Sequence, residues 1–218
     1  MKKLWIYFIT VLFILCTSSL FAQIKIGAKA GLNISSAKVK NFDDTKSKLG
    51  IHLGGVAEYE IMDMLYAQAG ILLSQKGYKW EDDMSMLGYT YTEESTISLF
   101  YLDIPLTAMY KYELGDLSIY GTGGFNIGMG LSGKYKYEIN DDGDESSGDE
   151  SIDWGSGDDD DVKRLDLGFI IGAGVEINES IQVGLSYTIG LNNLAPQSGA
   201  DYKNRVFAIT ATYFLADF

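Results

Sequence analysis

The residues in this sequence best suited to acid–base chemistry are the single histidine, His52, together with Ser74 and Asp103. A histidine beside a serine and a carboxylate can activate the serine as a nucleophile, as in hydrolases and acyltransferases. The three lie on neighbouring predicted strands at a similar height, but no catalytic-triad motif surrounds them. A histidine hydrogen-bonded to Glu58 or to a backbone carbonyl is the simpler interpretation. The sequence therefore favours a protein that is not an enzyme.

A second candidate site is the acidic segment 138–161, which holds 12 of the 30 acidic residues and no basic residue. From residue 140 its spacing matches the first three ligand positions of a calcium loop, but Glu145 then replaces the required glycine and Ser151 the required glutamate. We predict a solvated, mobile loop that condenses cations loosely, with no cofactor, and discrete calcium sites as the alternative. Trp154 could anchor a partner or the membrane surface. The weak calcium candidates are Asp141, Asp142, Asp144, Asp149, Asp158 and Asp159.

Eight segments of the sequence must position these residues. In each segment apolar and polar side chains alternate with a period of two, which is typical of strands with one apolar face. The first covers residues 24–35 and the last residues 205–215. Short connections at 61–64, 113–116 and 178–180 alternate with long ones at 36–48, 79–96, 138–161 and 192–203. An even number of antiparallel strands closed into a barrel puts the tight turns at one rim and the long loops at the other. The predicted fold is all-β, an eight-stranded antiparallel up-and-down transmembrane β-barrel.

The composition of the two strand faces indicates which face is outside. The polar faces are rich in glycine, lysine and glutamate, whereas the interior of a soluble barrel would be apolar. We therefore expect the apolar faces to contact lipid, and the 15 Tyr, 10 Phe and 3 Trp to supply aromatic girdles at both headgroup levels. Pro105 cannot donate to a strand ladder, so it predicts a local bulge.

Charged side chains on the polar faces would be enclosed in a narrow interior. Buried charges are costly unless they are paired, so we predict a salt-bridge network that fills the barrel. A proton or ion path is the alternative, and eight strands leave no room for a diffusion pore. The predicted lumen network is Lys25, Lys29, Glu58, Glu60, Lys76, Asp103, Lys111 and Glu176.

The N-terminus has the pattern of a secretory signal peptide. Lys2 and Lys3 precede an apolar run of about 12 residues, too short to span a bilayer as a helix, and a small-residue junction follows at Ala22. We predict a signal peptide at 1–22 and a barrel domain at 23–218, with lipidation at Cys16 as the alternative to cleavage after Ala22. Cleavage would leave 15 basic and 30 acidic residues, a net charge of −15. Such a polyanion repels nucleic acid, so nucleic-acid binding is excluded as the main activity.

Several stretches resemble the outer-membrane β-barrel family common in Bacteroidetes, including the PorT-like proteins. The resemblance covers nearly all of the predicted barrel domain. It rests on residues 27–33 (GAKAGLN), 49–54 (LGIHLG), 74–77 (SQKG) and 101–106 (YLDIPL). It implies an eight-stranded barrel. Most members of this family have no assigned activity, and a few take part in protein secretion and gliding.

These observations predict a non-enzymatic protein of the cell outer membrane with both termini in the periplasm. Its role would be structural, adhesive or partner-binding, carried by long acidic extracellular loops. The expected partners are outer-membrane lipid, the barrel assembly machinery during insertion, and an extracellular or membrane protein. The alternatives are a rim enzyme, a lipid A acyl hydrolase or transferase that uses His52, and a subunit of a secretion complex.

Overall fold

The computed structural model describes residues 24–39, 45–86, 89–141 and 144–215, and the side chains of these residues except at 82–90 and 141–144. The predicted signal peptide at 1–22, with Cys16, lies outside the described residues. In the described part of the chain there is no helix of the length and apolarity needed to cross a membrane.

In the described part of the chain, nine antiparallel strands form one sheet that closes on itself. Eight of them make the ring in the order β4-β3-β2-β1-β9-β8-β7-β5, closed by pairing between β4 and β5, and β6 adds to the outer part of β5. The eight-stranded up-and-down barrel is confirmed. The strands are β1 (Ile24–Val39), β2 (Lys46–Met62), β3 (Leu65–Met86), β4 (Tyr89–Glu113), β5 (Leu117–Asp141), β6 (Asp144–Ser151), β7 (Leu165–Ile177), β8 (Ile181–Gly190) and β9 (Tyr202–Phe214).

The apolar face of each ring strand points outward. On β2, Leu49 and Leu53 are 70% and 60% exposed, while His52 between them is buried. On β3, Ile71 is 62% exposed and Ser74 is buried. A continuous apolar surface of this kind would be unstable in water and is the surface that a bilayer requires.

Tight turns gather at one end of the barrel, which we call the turn end, as the sequence predicts. Asn178 and Glu179 connect β7 to β8 with φ values of 49° and 54°, and the Ser180 amide donates to the Ile177 carbonyl at 3.2 Å. This is the geometry of a type I′ turn, whose twist matches that of the strands it joins. The opposite end carries the long connections, and we call it the loop end.

The strands at the loop end extend further than the sequence predicts. The region 79–96, expected as a loop, is a ladder between β3 and β4 from Lys79↔Thr96 to Met86↔Tyr89. The first part of the acidic segment 138–161 is also a ladder, from Lys134↔Ser151 to Asp141↔Asp144 between β5 and β6. The expected mobile loop is therefore wrong for this part. Apolar–polar alternation ends in these outer parts of the strands, but backbone pairing continues.

The predicted bulge at Pro105 is also wrong. Pro105 stays in register with Asn126, and the shift between β4 and β5 lies where Phe100 pairs with Ser132 and Tyr101 with Gly130. Leu131 is thus the extra residue. A bulge sharpens the twist of a strand, and this one lies at the level where β5 exchanges β7 for β6 as its neighbour.

Candidate functional site in the barrel interior and mouth

Near the turn end, a cluster of buried polar side chains crosses the barrel; we call Glu58, Gln68, Lys111, Glu176 and Gln182 the turn-end cluster. The Lys111 ammonium bonds both Glu58 and Glu176, the latter at 2.6 Å. Gln182 Nε2 donates to Glu58 Oε2 at 2.9 Å and to Glu176 Oε2 at 2.6 Å. Gln68 Nε2 donates to Glu58 Oε2 at 3.1 Å. These residues come from β2, β3, β4, β7 and β8, so the cluster ties opposite walls of the barrel together.

A second buried group, which we call the loop-end cluster, consists of Lys76, Asp103, Asn126, Asp166 and Asn204. Lys76 Nζ lies 2.9 Å from Asp103 Oδ1 and 3.0 Å from Asp166 Oδ2. Asn126 donates to Asp103 and Asn204 donates to Asp166, each at 2.9 Å. The two carboxylates share one ammonium and each also accepts an amide hydrogen bond, so neither is left without a partner.

His52 lies between the two clusters and is buried. Its Nδ1 is 2.8 Å from Asn33 Oδ1, and its Nε2 is 3.2 Å from Thr210 Oγ1. The Ser74 hydroxyl accepts a hydrogen bond from the Asn33 amide at 3.0 Å. The predicted partner Glu58 is wrong, because Asn33 and Thr210 take both ring nitrogens. His52 pairs with Ser74 in the β2–β3 register, and both line the same cavity as Asp103, but the hydrogen bonds of the described His52 ring go to Asn33 and Thr210 and not to Ser74 or Asp103.

A small cavity of about 120 Å³ lies in the interior between the clusters. Its lining includes Lys29, His52, Gln182 and Tyr120. Lys29 donates to Gln68 Oε1 at 2.5 Å. The volume is enough for several water molecules. The lining includes Lys76 and Asp103 of the loop-end cluster and Gln68 and Gln182 of the turn-end cluster, so the two clusters bound the cavity at its two ends.

Six of the eight predicted lumen residues lie in the interior, and two lie at the rim. Lys25 pairs with Glu179 at 2.9 Å, where the Glu179 side chain is 79% exposed. Glu60 is exposed, so its predicted place inside the barrel is wrong. Both side chains are close to the turn end, where an inward-pointing residue already reaches solvent.

The loop end of the barrel is closed by an apolar group that we call the mouth cluster. The segment 152–164 leaves the sheet after β6, folds into the mouth and rejoins it at β7. A Cβ placed on Gly130 would lie 2.2 Å from the Trp154 ring, so only glycine leaves room for it. Buried residues of the mouth cluster are Ala37, Tyr78, Leu99, Tyr101, Ile152, Val162, Leu194, Ala195 and Tyr202.

Trp154 packs in the mouth and is not displayed to a partner or to the membrane, so that expectation is wrong. Its ring is perpendicular to that of Tyr101 at 5.5 Å. Aromatic residues were expected in girdles at both headgroup levels. Tyr110, Tyr112 and Tyr213 are exposed towards the turn end, but at the loop end several aromatic side chains are turned into the mouth.

The calcium candidates are dispersed. Asp149 pairs with Lys134 at 3.0 Å across β5 and β6, and Asp158 and Asp159 are exposed in the connection after β6. Asp142 lies outside the described residues, and the side chains of Asp141 and Asp144 are not described. Within the described residues, no three acidic, histidine or cysteine side chains are grouped as a metal site would require.

Sequence analysis missed several members of the two clusters. Asp166 faces inward on β7 by alternation, and its charge is the signal that could have placed it in the network. Gln68, Gln182, Asn126 and Asn204 carry no charge, so only their inward register could have indicated them. Which inward residues meet across the barrel depends on the stagger of the strands, which one sequence does not contain.

One comparison, with a protein-family model, agrees with this architecture. A family model described as "Outer membrane protein beta-barrel domain" matches residues 21–195. Ail of Yersinia pestis is 16% identical over 88% of this chain and 99% of its own, with a TM-score of 0.43. OprG of Pseudomonas aeruginosa is 13% identical over 89% of this chain and 96% of its own, with a TM-score of 0.41. Neisserial surface protein A is 11% identical over 87% of this chain and 97% of its own, also with a TM-score of 0.41. No curated protein matches the chain.

Proposed function

We propose, from the premise that this chain belongs to the outer membrane protein beta-barrel domain family, that it is a non-enzymatic barrel that binds a positively charged partner. Its location is the outer membrane. We further propose that the turn end and both termini face the periplasm, so that the loop end is presented outside the cell.

The observation that carries this proposal is a sheet that continues beyond the barrel wall at the loop end. The outer parts of β3, β4, β5 and β6 pair in that order, and β6 is the last strand in the sheet. An edge strand leaves one row of backbone donors and acceptors without strand partners, which an extended peptide can use by strand addition.

The geometry of β6 identifies which of its residues offer this edge. The Ile152 amide donates to the Gly133 carbonyl at 3.0 Å, and antiparallel bonding alternates along a strand. The even-numbered residues of β6 therefore bond β5, and Glu145, Ser147, Asp149 and Ser151 direct their backbone groups away from it. All four are exposed.

Charge indicates the class of partner. Glu145, Asp149 and Glu150 are exposed on β6, and the whole chain has a net charge of −13. An extended segment rich in lysine or arginine would be attracted over a distance and then paired by backbone hydrogen bonds.

Strand addition can be tested with an immobilised peptide of alternating lysine and threonine and with its glutamate–threonine counterpart. We expect the purified barrel in detergent to bind the lysine peptide and to release it at high salt. Ser147→Pro removes an outward-facing amide without removing a bond to β5, so it should abolish binding. Ser156→Pro, in the connection after β6, is the matched control and should bind normally. Equal binding of both peptides, or normal binding by Ser147→Pro, would contradict the proposal.

The contacts of His52 support a structural role for this residue. Both ring nitrogens are engaged by Asn33 and Thr210, so neither is directed at a serine that could act as a nucleophile. We expect His52→Gln to leave the lipid A of the host cell unchanged in a mass spectrum. Loss of a lipid A modification in that variant would show that the enzyme alternative is right.

Membership of a secretion complex would be one form of partner binding, as the resemblance to PorT-like proteins implies. A photo-crosslinking residue at position 147 should then capture a component of the secretion machinery in native membranes. The same residue at position 187, on the lipid-facing side of β8, is the control.

A further inference from the structure

The mouth of the barrel contains a cavity of about 420 Å³, separate from the smaller interior one. Its walls come from β1, β3, β4, β5, β6 and β9, and from the connections on either side of the β7–β8 pair. Several lining residues, among them Ser151 and Gln197, are exposed, so the cavity communicates with solvent at the loop end. Its volume is in the range of sites for small organic molecules.

Tyr78, Tyr135 and Tyr202 form the aromatic part of the described lining. The rings of Tyr78 and Tyr202 lie 5.5 Å apart at an interplanar angle of 58°. Tyr135 is held by a hydrogen bond between its hydroxyl and Ser95, at 2.9 Å, and by the Trp80 ring at 6.0 Å. Tyr202 donates to Asn204 Oδ1 at 2.7 Å, so its orientation is fixed by the loop-end cluster. These are rigid walls that need no ordering when a ligand enters.

Among the residues that the structure describes, the charged groups in the lining are all acidic. Glu150, Asp161 and Asp201 contribute carboxylates, and this described lining includes neither lysine nor arginine. Asp161 Oδ2 accepts a hydrogen bond from the Asp153 amide at 2.8 Å, which fixes this carboxylate at the cavity. A neutral apolar ligand would strip water from these groups without compensation, and an anion would be repelled.

We infer that this cavity, which we call the mouth cavity, is a binding site for a small organic cation with a compact apolar body, such as a quaternary ammonium compound. The tyrosine rings attract the cation through their π faces and exclude water from its methyl groups. The carboxylates supply the opposite charge at the solvent side. This site does not depend on strand addition at β6.

Choline and its uncharged analogue of the same shape, 3,3-dimethyl-1-butanol, are the probes that test the charge requirement. Binding would be measured by calorimetry and saturation-transfer NMR on the full mature barrel in a maltoside detergent, because phosphocholine detergents carry the probe group. We expect saturable binding of choline, at least about ten-fold tighter than that of the alcohol. Absence of saturable choline binding, or equal affinity for the two probes, would overturn the inference.

Variants locate the site. Tyr135→Leu should weaken choline binding several-fold, whereas Tyr135→Phe keeps the ring and should bind as the unmodified protein does. Tyr213→Leu, on the lipid-facing side of β9, is the aromatic control. Each variant is first checked for its folded form on an unboiled gel, and choline binding unchanged in folded Tyr135→Leu would refute the assignment.

The carboxylates are tested by the double variant Glu150→Gln and Asp201→Asn. It should reduce the preference for choline over the alcohol about ten-fold. Glu145→Gln, on β6 but outside the cavity lining, removes a nearby charge and should leave the preference unchanged. If both variants reduced the preference equally, the selectivity would come from general surface charge and the proposed site would be refuted.

Discussion

Lys111 is the residue whose loss should destabilise the barrel most directly. Its ammonium lies between Glu58 and Glu176, and all three side chains are buried. Lys111→Met would leave two carboxylates close together without a cation, and removal of one partner of a buried pair costs about 3–5 kcal/mol. We expect this loss in the free energy of unfolding, measured by urea titration in detergent or lipid vesicles.

Lys25→Met is the control for that experiment. In the Lys25–Glu179 pair the Glu179 side chain is 79% exposed. Exposed ion pairs contribute less than about 1 kcal/mol to the free energy of unfolding. A similar loss in both variants would mean that the turn-end cluster does not stabilise the barrel as described.

Gly130 determines whether Trp154 can occupy the mouth. Gly130→Ala places a Cβ 2.2 Å from the indole ring, so the ring must move outward. In a Trp80→Phe background, Trp154 fluorescence should shift to longer wavelength and be quenched more by acrylamide. Gly123→Ala is the matched control on the same strand, because its nearest neighbour would be 3.9 Å away. No change in Gly130→Ala would show that the ring does not pack there.

For single residues, the sequence predicts which way a side chain points but not which side chains it contacts. Alternation alone placed Lys76, Lys111 and Glu58 in the interior. It failed for Glu60, because the position of the rim depends on strand length. It also could not show that His52 bonds Asn33 and Thr210, because these contacts depend on the register that places His52 and Thr210 on either side of Gly31.

At the scale of the elements, the hairpin formed by the outer parts of β3 and β4 depends on exposed ion pairs. Lys79 Nζ donates to Glu94 Oε1 at 2.8 Å, and this hydrogen bond and the lysine charge lower the pKa of the Glu94 carboxyl. A lowered pKa in the folded state means that the stabilisation is present above the ordinary glutamate pKa of about 4.3 and is lost as the pH falls through the lowered value.

Hydrogen exchange of residues 91–96 would measure this effect. We expect protection of the hairpin, relative to the barrel wall, to fall at acidic pH by less than about 1 kcal/mol, because the pair is exposed. Lys79→Met should remove the pH dependence. An unchanged pH profile in that variant would contradict the role given to this pair.

The elements also show where sequence patterns stop being informative. Within the membrane, one face of every strand is apolar, and the period of two is clear. Beyond it, β3 and β4 continue through threonines, tyrosines and acidic residues without apolar–polar alternation, so the pattern that predicts a strand is absent. Strand propensity at residues such as Thr90, Tyr91 and Thr92 was the remaining signal.

At the scale of the whole molecule, closure of the sheet predicts resistance to detergent. Pairing of β4 with β5 completes a ring in which each of the eight strands has two neighbours. With no edge inside the membrane, the barrel should remain folded in sodium dodecyl sulfate at room temperature and migrate differently on a gel before and after boiling. Identical migration of the two samples would contradict a closed barrel.

The chain between β6 and β7 is longer than the sheet requires. Ile152 bonds Gly133 and Arg164 bonds Gly130, so eleven residues, 153–163, occupy a stretch where β5 has only two, Leu131 and Ser132. Excision of nine of them would let β6 and β7 merge into one uninterrupted strand. The segment that fills the mouth would then be absent, and the barrel sheet would remain continuous. A shortened protein of this kind should admit water-soluble tracers from the loop end into the barrel, as far as the salt bridges of Lys76.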